Sequence, residues 1–165
     1  MQKQLVATIL IVFMPFLFVS CVSSILKDKP PTFSSEITLK DPSSPFTRTR
    51  TSVFPSWKSS QSGNVISIVS DCNENSPATL SSLHQLIESS LESPQIISEE
   101  NITIQDRPSL LKVVNAQLDG YPIEVRSVSF RKKSCGYVSS LSGKKGTLEA
   151  DRASFEQFLN NLSFK

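Results

Sequence analysis

Apolar residues follow three different rhythms along the chain. Residues 5–19 (LVATILIVFMPFLFV) form an apolar run of 15. Residues 22–48 show almost no pattern: Pro30, Pro31, Pro42 and Pro45 interrupt them, and Ser23, Ser24, Ser34, Ser35, Ser43 and Ser44 dilute their apolar content. After about Arg50, short β-type runs and two stretches of helical spacing predict one folded domain over 49–165. Val53, Phe54 and Trp57 predict a first strand, Ser62-Gly63-Asn64 a turn, and residues 65–69 a second strand ending at Asp71-Cys72. Leu80, Leu83, Ile87 and Leu91 share one face of a helix predicted over 78–92, with Pro77 suited to its first turn and Pro94 stopping it. Ile96, Ile97, Ile102 and Ile104 predict one or two short strands over 95–105. A final amphipathic helix over 151–162 buries Phe155, Phe158, Leu159 and Leu162, with Asp151 as its N-cap.

Asp119-Gly120 between two apolar runs is the strongest local signal. Both central residues of a type I′ turn need positive φ, and these two residue types tolerate it. A two-residue loop pairs Leu118 with Tyr121, Ala116 with Ile123 and Val114 with Val125 on one apolar face. Gln117 with Pro122 and Asn115 with Glu124 make the other. The alternation degrades beyond Lys112, which predicts a bulge or twist there. Arg131-Lys132-Lys133 reads as a polar turn, residues 135–141 as the next strand and residues 143–146 as a loop. The order predicts an α+β fold: an antiparallel β-sheet with two main helices packed on it. About 115 residues can carry one modest core.

The opening segment carries an address. Lys3 and the α-amino group precede an apolar run that is shorter than the roughly 20 residues a spanning helix needs and contains Pro15. That describes a cleaved export signal over 1–20. Phe18-Val19-Ser20-Cys21 resembles the lipobox of bacterial lipoproteins, which implies that Cys21 carries acyl chains after cleavage before it. Each buried methylene contributes about 0.8 kcal/mol, so two or three chains anchor stably where one does not. Residues 21–48 then read as a lipidated, Pro/Ser-rich tether. Val22 and Ser23 lack the aspartate that retains lipoproteins in an inner membrane, so the expectation is the outer membrane, periplasmic side. The expected partners are the membrane, through Cys21, and an envelope protein. With 1–20 removed, the chain has 16 basic against 15 acidic side chains. Such balance argues against nucleic acid as a partner. Serine is abundant and keeps loops polar without adding charge.

Lipidation of Cys21 leaves Cys72 and Cys135 as a pair. In an oxidising compartment they read as a disulfide closing a loop of over sixty residues, or else as two buried thiols. Several stretches resemble uncharacterised lipoproteins of Bdellovibrio-like and deltaproteobacterial organisms: Ser70-Asp71-Cys72, Asp119-Gly120-Tyr121-Pro122, Cys135-Gly136-Tyr137 and the Phe155–Phe158 helix. That family commonly has valine and aspartate where this chain has Gly136 and Val138. The resemblance implies paired cysteines and supplies no catalytic residues. The order of sheet and terminal helix also resembles the PsbP-like α/β/α fold.

Candidate chemistry is sparse. His84 is the single histidine and falls at the edge of an apolar stripe, where a packing role is expected. A catalytic histidine needs a nucleophile on one side and an orienting carboxylate on the other. No serine sits in a GxSxG or SxxK motif, and no EF-hand, HExxH or P-loop appears. Asp71, Glu74, Glu99, Glu100 and Asp106 are scattered acids, Glu99-Glu100 reading as a solvated loop. The basic clusters Arg131-Lys132-Lys133 and Lys144-Lys145 fall at opposite ends of one predicted strand and read as solvated turns. The leading expectation is a non-enzymatic binding or accessory module without cofactor or metal. The alternatives are a small-ligand carrier with a pocket between sheet and helices, and a hydrolase with a loop-assembled site around His84.

Overall fold

Alternating side chains from the middle of the chain onward build a seven-stranded antiparallel sheet. The structure, a computed structural model, describes residues 33–34, 36–50, 52–72 and 78–165. The expected export signal, Cys21 and residues 73–77 lie outside the described residues. The strands are β2 (Phe46–Arg48), β3 (Ser56–Ser59), β4 (Val65–Asp71), β5 (Glu92–Ile104), β6 (Arg107–Leu118), β7 (Tyr121–Lys132) and β8 (Cys135–Lys144). They lie in the order β2-β3-β4-β8-β7-β6-β5. A separate two-stranded ladder pairs β1 (Ile37–Thr38) with β9 (Ser163–Phe164).

Each face of the sheet carries its own helical layer. On one face, Trp57, Ile66, Ile68, Val128, Phe130, Tyr137 and Leu141 are buried with Phe155, Phe158 and Leu159 of α3 (Arg152–Asn160). Aromatic rings supply much of this area: Trp57 meets Phe158 at 5.1 Å between centroids, and Phe130 stacks on Tyr137 at 5.3 Å. The opposite face carries α1 (Leu80–Leu83) and α2 (Gln85–Glu88), laid over β6, β7 and β8. The helix expected over 78–92 is therefore two short turns broken at His84. Thr79 caps α1 by accepting from the Ser82 N–H at 3.1 Å. The serines at 81, 82, 89 and 90 favour such local bonds over continued helix. Leu83 approaches the sheet because Gly136 lies beneath it: a Cβ there would stand 2.4 Å from Leu83 Cδ2.

The hairpin forms as the sequence predicts. Asp119 and Gly120 have φ of 51° and 76°, and the pairs run from Leu118↔Tyr121 through Ala116↔Ile123 and Val114↔Val125. Of the bulge or twist expected beyond Lys112, no bulge occurs in this pair, since the register continues unbroken to Ser109↔Phe130. The irregularities fall instead on the edge strand β5, between Glu92 and Gln95 and between Ile96 and Ser98. There Pro94 is tolerated, because an edge strand can spare a donor. One 13-residue strand replaces the one or two short strands expected. Its connection to β6 turns at Gln105 and Asp106, both with positive φ (47° and 61°). Gln105 Nε2 donates to the carbonyls of Leu159, Asn160 and Leu162, which ties this turn to the end of α3.

The domain begins earlier than the expected boundary at 49. Ile37 and Phe46 are buried, and Phe33 and Leu39 pack on the core. Asp41 accepts from Trp57 Nε1 at 2.9 Å, and Tyr137 Oη donates to Ser34 Oγ at 2.9 Å. Residues 33–48 are thus not tether. Their apolar side chains are too widely spaced to show a period, yet each inserts singly against the core. The strand expected around Val53, Phe54 and Trp57 is β3, which begins at Ser56, while Val53 is exposed. Asp151 precedes α3 without capping it; its carboxylate accepts from Ser62 Oγ and from Asn64 Nδ2 at 2.8 Å, closing the helix onto the β3–β4 turn. Serines do more than keep loops polar, for Ser127, Ser129, Ser139 and Ser140 are buried within the sheet.

Cys72 and Cys135 form a disulfide, with α-carbons 4.1 Å apart. The β4–β8 register explains it: Asp71 pairs with Gly136, so the next residue pair is Cys72 with Cys135. Replacing both with serine removes a constraint across 63 residues. The expected loss is about 4 kcal/mol of unfolding free energy, measured by denaturant titration.

Candidate functional site

Five elements bring the chain's distinctive polar groups together on the face beneath α1 and α2. Lys112 on β6 and Ser127 on β7 are directly paired. His84, at the break between the helices, is fully buried and places Nδ1 2.8 Å from Ser127 Oγ. Lys112 runs its stem beneath the helix and sets its ammonium 3.3 Å from Glu88 of α2 and 3.3 Å from Glu99 of β5. Its side chain is 5% exposed, against 21% and 41% for the two glutamates. Glu99 is therefore part of an ion-paired cluster, not of a solvated loop. Ser129 Oγ donates to the Leu80 carbonyl at 2.7 Å and extends the polar line along the sheet.

The electrostatics of His84 follow from this enclosure. Burial is the largest influence and lowers its pKa below 6.5, and the Lys112 ammonium lowers it further. Glu88, the Leu110 carbonyl and Glu99 pull the other way without prevailing. The Leu110 carbonyl favours a proton on the ring, although His84 Nε2 has no hydrogen bond of regular geometry. The ring is thus neutral near pH 7.

A serine on an imidazole is the pairing that a nucleophile and its base require. Here it is sealed: Ser127 is 3% exposed and His84 0%. Both nearby carboxylates engage Lys112 instead of orienting the imidazole. What the arrangement does is hold a short helical layer onto a sheet. Among the described residues no group of three or more His, Cys, Asp or Glu side chains has a metal-binding arrangement.

The basic clusters lie at opposite ends of β8, as expected. Arg131 is more than a solvated turn residue, because its Nη1 donates to the Ala78 carbonyl at 3.0 Å. At the Asp119-Gly120 end, large apolar side chains stand in solvent: Tyr121 (73% exposed), Ile96 (59%), Ile97 (57%) and Leu118 (45%). They lie on or near β5, which among the described residues has no partner on its outer edge. Cys21 lies outside the described residues, and among those described no helix is long and apolar enough to cross a membrane.

No family model and no curated protein matches the chain. Solved structures do. CyanoP, the cyanobacterial PsbP of Synechocystis sp. PCC 6803, superposes over 81% of this chain and 84% of its own, with a TM-score of 0.51 and 7% identity. The fold is PsbP-like. PA94, a protein of unknown function from Pseudomonas aeruginosa, matches 76% of this chain and 85% of its own, with a TM-score of 0.55 and 14% identity. At these identities the likeness is one of fold, and the PsbP-like scaffold by itself assigns no activity.

Two measurements follow. His84 binds its proton less readily in the folded than in the unfolded protein, so its contribution to stability is complete above about pH 6.5. It is lost as the pH falls through the lower folded value. Urea titrations across this window should show stability decreasing towards acid, with a smaller decrease in His84→Gln. Gly136→Val should expel Leu83 from its seat and cost about 1–3 kcal/mol in the same titrations.

Proposed function

We propose that this chain is a bacterial lipoprotein, acylated at Cys21, whose PsbP-like domain is a non-enzymatic binding or accessory module of the cell envelope. It would sit on the outer membrane facing the periplasm and belong with the uncharacterised lipoproteins of Bdellovibrio-like organisms. The observation that carries the binding role is the contrast between the two ends of its chemistry. His84, Ser127 and Lys112 are enclosed and structural, while Ile96, Ile97, Leu118 and Tyr121 are exposed beside an open strand edge. Tyrosine and large aliphatic side chains in solvent favour contact with a protein surface. An open edge can also pair with an added strand. The disulfide fits an oxidising compartment. The short apolar run before Cys21 fits export followed by lipid attachment. A lipid-held domain is concentrated at one surface, so weak contacts suffice.

The lipid and the partner are tested separately. Radiolabelled palmitate should enter the wild-type protein and not Cys21→Ala; label retained in the variant would refute the anchor. Affinity capture from detergent extracts should recover a partner that is lost with Tyr121→Ser and Ile96→Ser together. Recovery of no specific partner would refute the binding role. A small-ligand carrier is the second reading. Phe155 and Phe158 pack on one face of the sheet and Leu83 and His84 on the other. One observation favours it: a cleft of about 310 Å³ at the rim of the sheet, between Leu80, Asp106, Arg107, Pro108 and Arg131.

A further inference from the structure

We propose that the end of the sheet from which the chain leads back to Cys21 is a docking surface for an anionic lipid bilayer. The antiparallel order gathers this end from separate parts of the sequence. β4 finishes at Asp71, β8 starts at Cys135, β7 finishes at Lys132 and β6 starts at Arg107, so these strand ends lie side by side. The loop between β2 and β3 reaches the same end, where the Ile68 N–H donates to the Pro55 carbonyl at 3.1 Å. The amino-terminal side arrives there too. The Ser34 N–H donates to Ser70 Oγ at 3.1 Å, and Phe33 lines one cleft of about 240 Å³ with Arg48, Val53 and Phe54.

Two properties of this end fit a lipid surface. The first is charge. Among the described residues Arg48, Arg50, Arg107, Arg131, Lys132 and Lys133 outnumber Glu36, Asp71 and Asp106 here. Lys133 is paired with Glu36 at 2.6 Å, while Arg48, Arg50 and Lys132 take part in none of the five ion pairs among those residues. The opposite end has no such excess, with Glu92, Asp119 and Glu124 beside Lys144 and Lys145. The second is an apolar tip: Val53 is 69% exposed, next to half-buried Phe54. Apolar area and nearby cations add together at an anionic headgroup boundary. Reach decides for a bilayer over a soluble partner. Residues 22–32 alone separate Cys21 from Phe33, at most about 40 Å of chain. An acylated Cys21 keeps this end close to lipid, where weak contacts suffice. That nearness rests on the lipid anchor proposed above; the charge and the exposed Val53 do not. Docked this way, the domain turns Leu118 and Tyr121 away from the bilayer, at the far end of β7.

The test places the full chain in phosphatidylglycerol nanodiscs carrying a spin-labelled headgroup and reads the broadening of amide signals by NMR. Broadening is expected at Arg50, Val53, Phe54 and Lys132, and none at Leu118 and Tyr121. It should be lost in phosphatidylcholine discs, and also at about 1 M salt, where the Debye length falls to about 3 Å. Arg50→Gln and Lys132→Gln replace side chains outside the core. Each should lower the ratio of docked to undocked domain about fivefold. Palmitate labelling at Cys21 is read on the same protein. Labelled chain overturns the docking surface and leaves the anchor standing if Arg50 and Lys132 stay sharp, if Tyr121 broadens equally, or if lipid charge makes no difference. Unlabelled chain that still broadens at this end supports the docking surface and overturns the anchor. Chain that is neither labelled nor broadened overturns both.

Discussion

The pairing of β6 with β7, unbroken from Leu118↔Tyr121 to Ser109↔Phe130, decides which side chains meet each helical layer. It turns Val128 and Phe130 towards α3, where they join an aromatic core. It turns Lys112, Ser127 and Ser129 towards α1 and α2, where they meet His84, Glu88 and the Leu80 carbonyl. A slip of one residue would exchange the two sets, burying charges among phenylalanines. The layers differ in kind as a result. One is held by apolar area; the other, with only eight helical residues, is seated by hydrogen bonds and an ion-paired lysine. Buried ionic groups are poor sources of net stability but exclude alternative packings. That role suits two short helices that could otherwise slide across the sheet.

Much of this scaffold was legible where a local physical rule dominates. Asp119-Gly120 encoded both turn and register because positive φ restricts the residues that fit. Phe155, Phe158 and Leu159 marked α3 through their spacing. Cys72 and Cys135 were legible as candidates for pairing, and the β4–β8 register brings them together. The two-residue turn between β5 and β6 was hidden. Gln105 and Asp106 are not the residues such a turn normally selects, and Gln105 is held there by bonds to carbonyls more than fifty positions away. The segment containing Phe33, Ile37 and Phe46 was unreadable for a similar reason. Proline and serine dominate its composition, and each apolar residue finds its place only once the sheet exists.

The polar cluster shows where sequence reading stops. His84 was flagged on its stripe, and the alternation faltered at Lys112, so two of its members left a trace. Nothing local joins them, because Glu88, Glu99 and Ser127 arrive from three further elements. Gly136 is the instructive case. Nothing local in the sequence marks it as a contact point, and it is the seat that admits Leu83.

The β1–β9 ladder has a mechanical consequence. Residues 37–38 and 163–164 lie side by side, and Phe164 packs against Phe130 and Arg107. The first and last strands therefore leave the domain from one pole, shared with the disulfide, while Tyr121 and Leu118 occupy the other. Twelve residues of β7 separate the poles, a reach of about 40 Å at roughly 3.3 Å per residue. A domain held from its amino-terminal side would work as a rigid arm. A force applied through residues 37–38 would reach its apolar tip only through the whole length of the sheet.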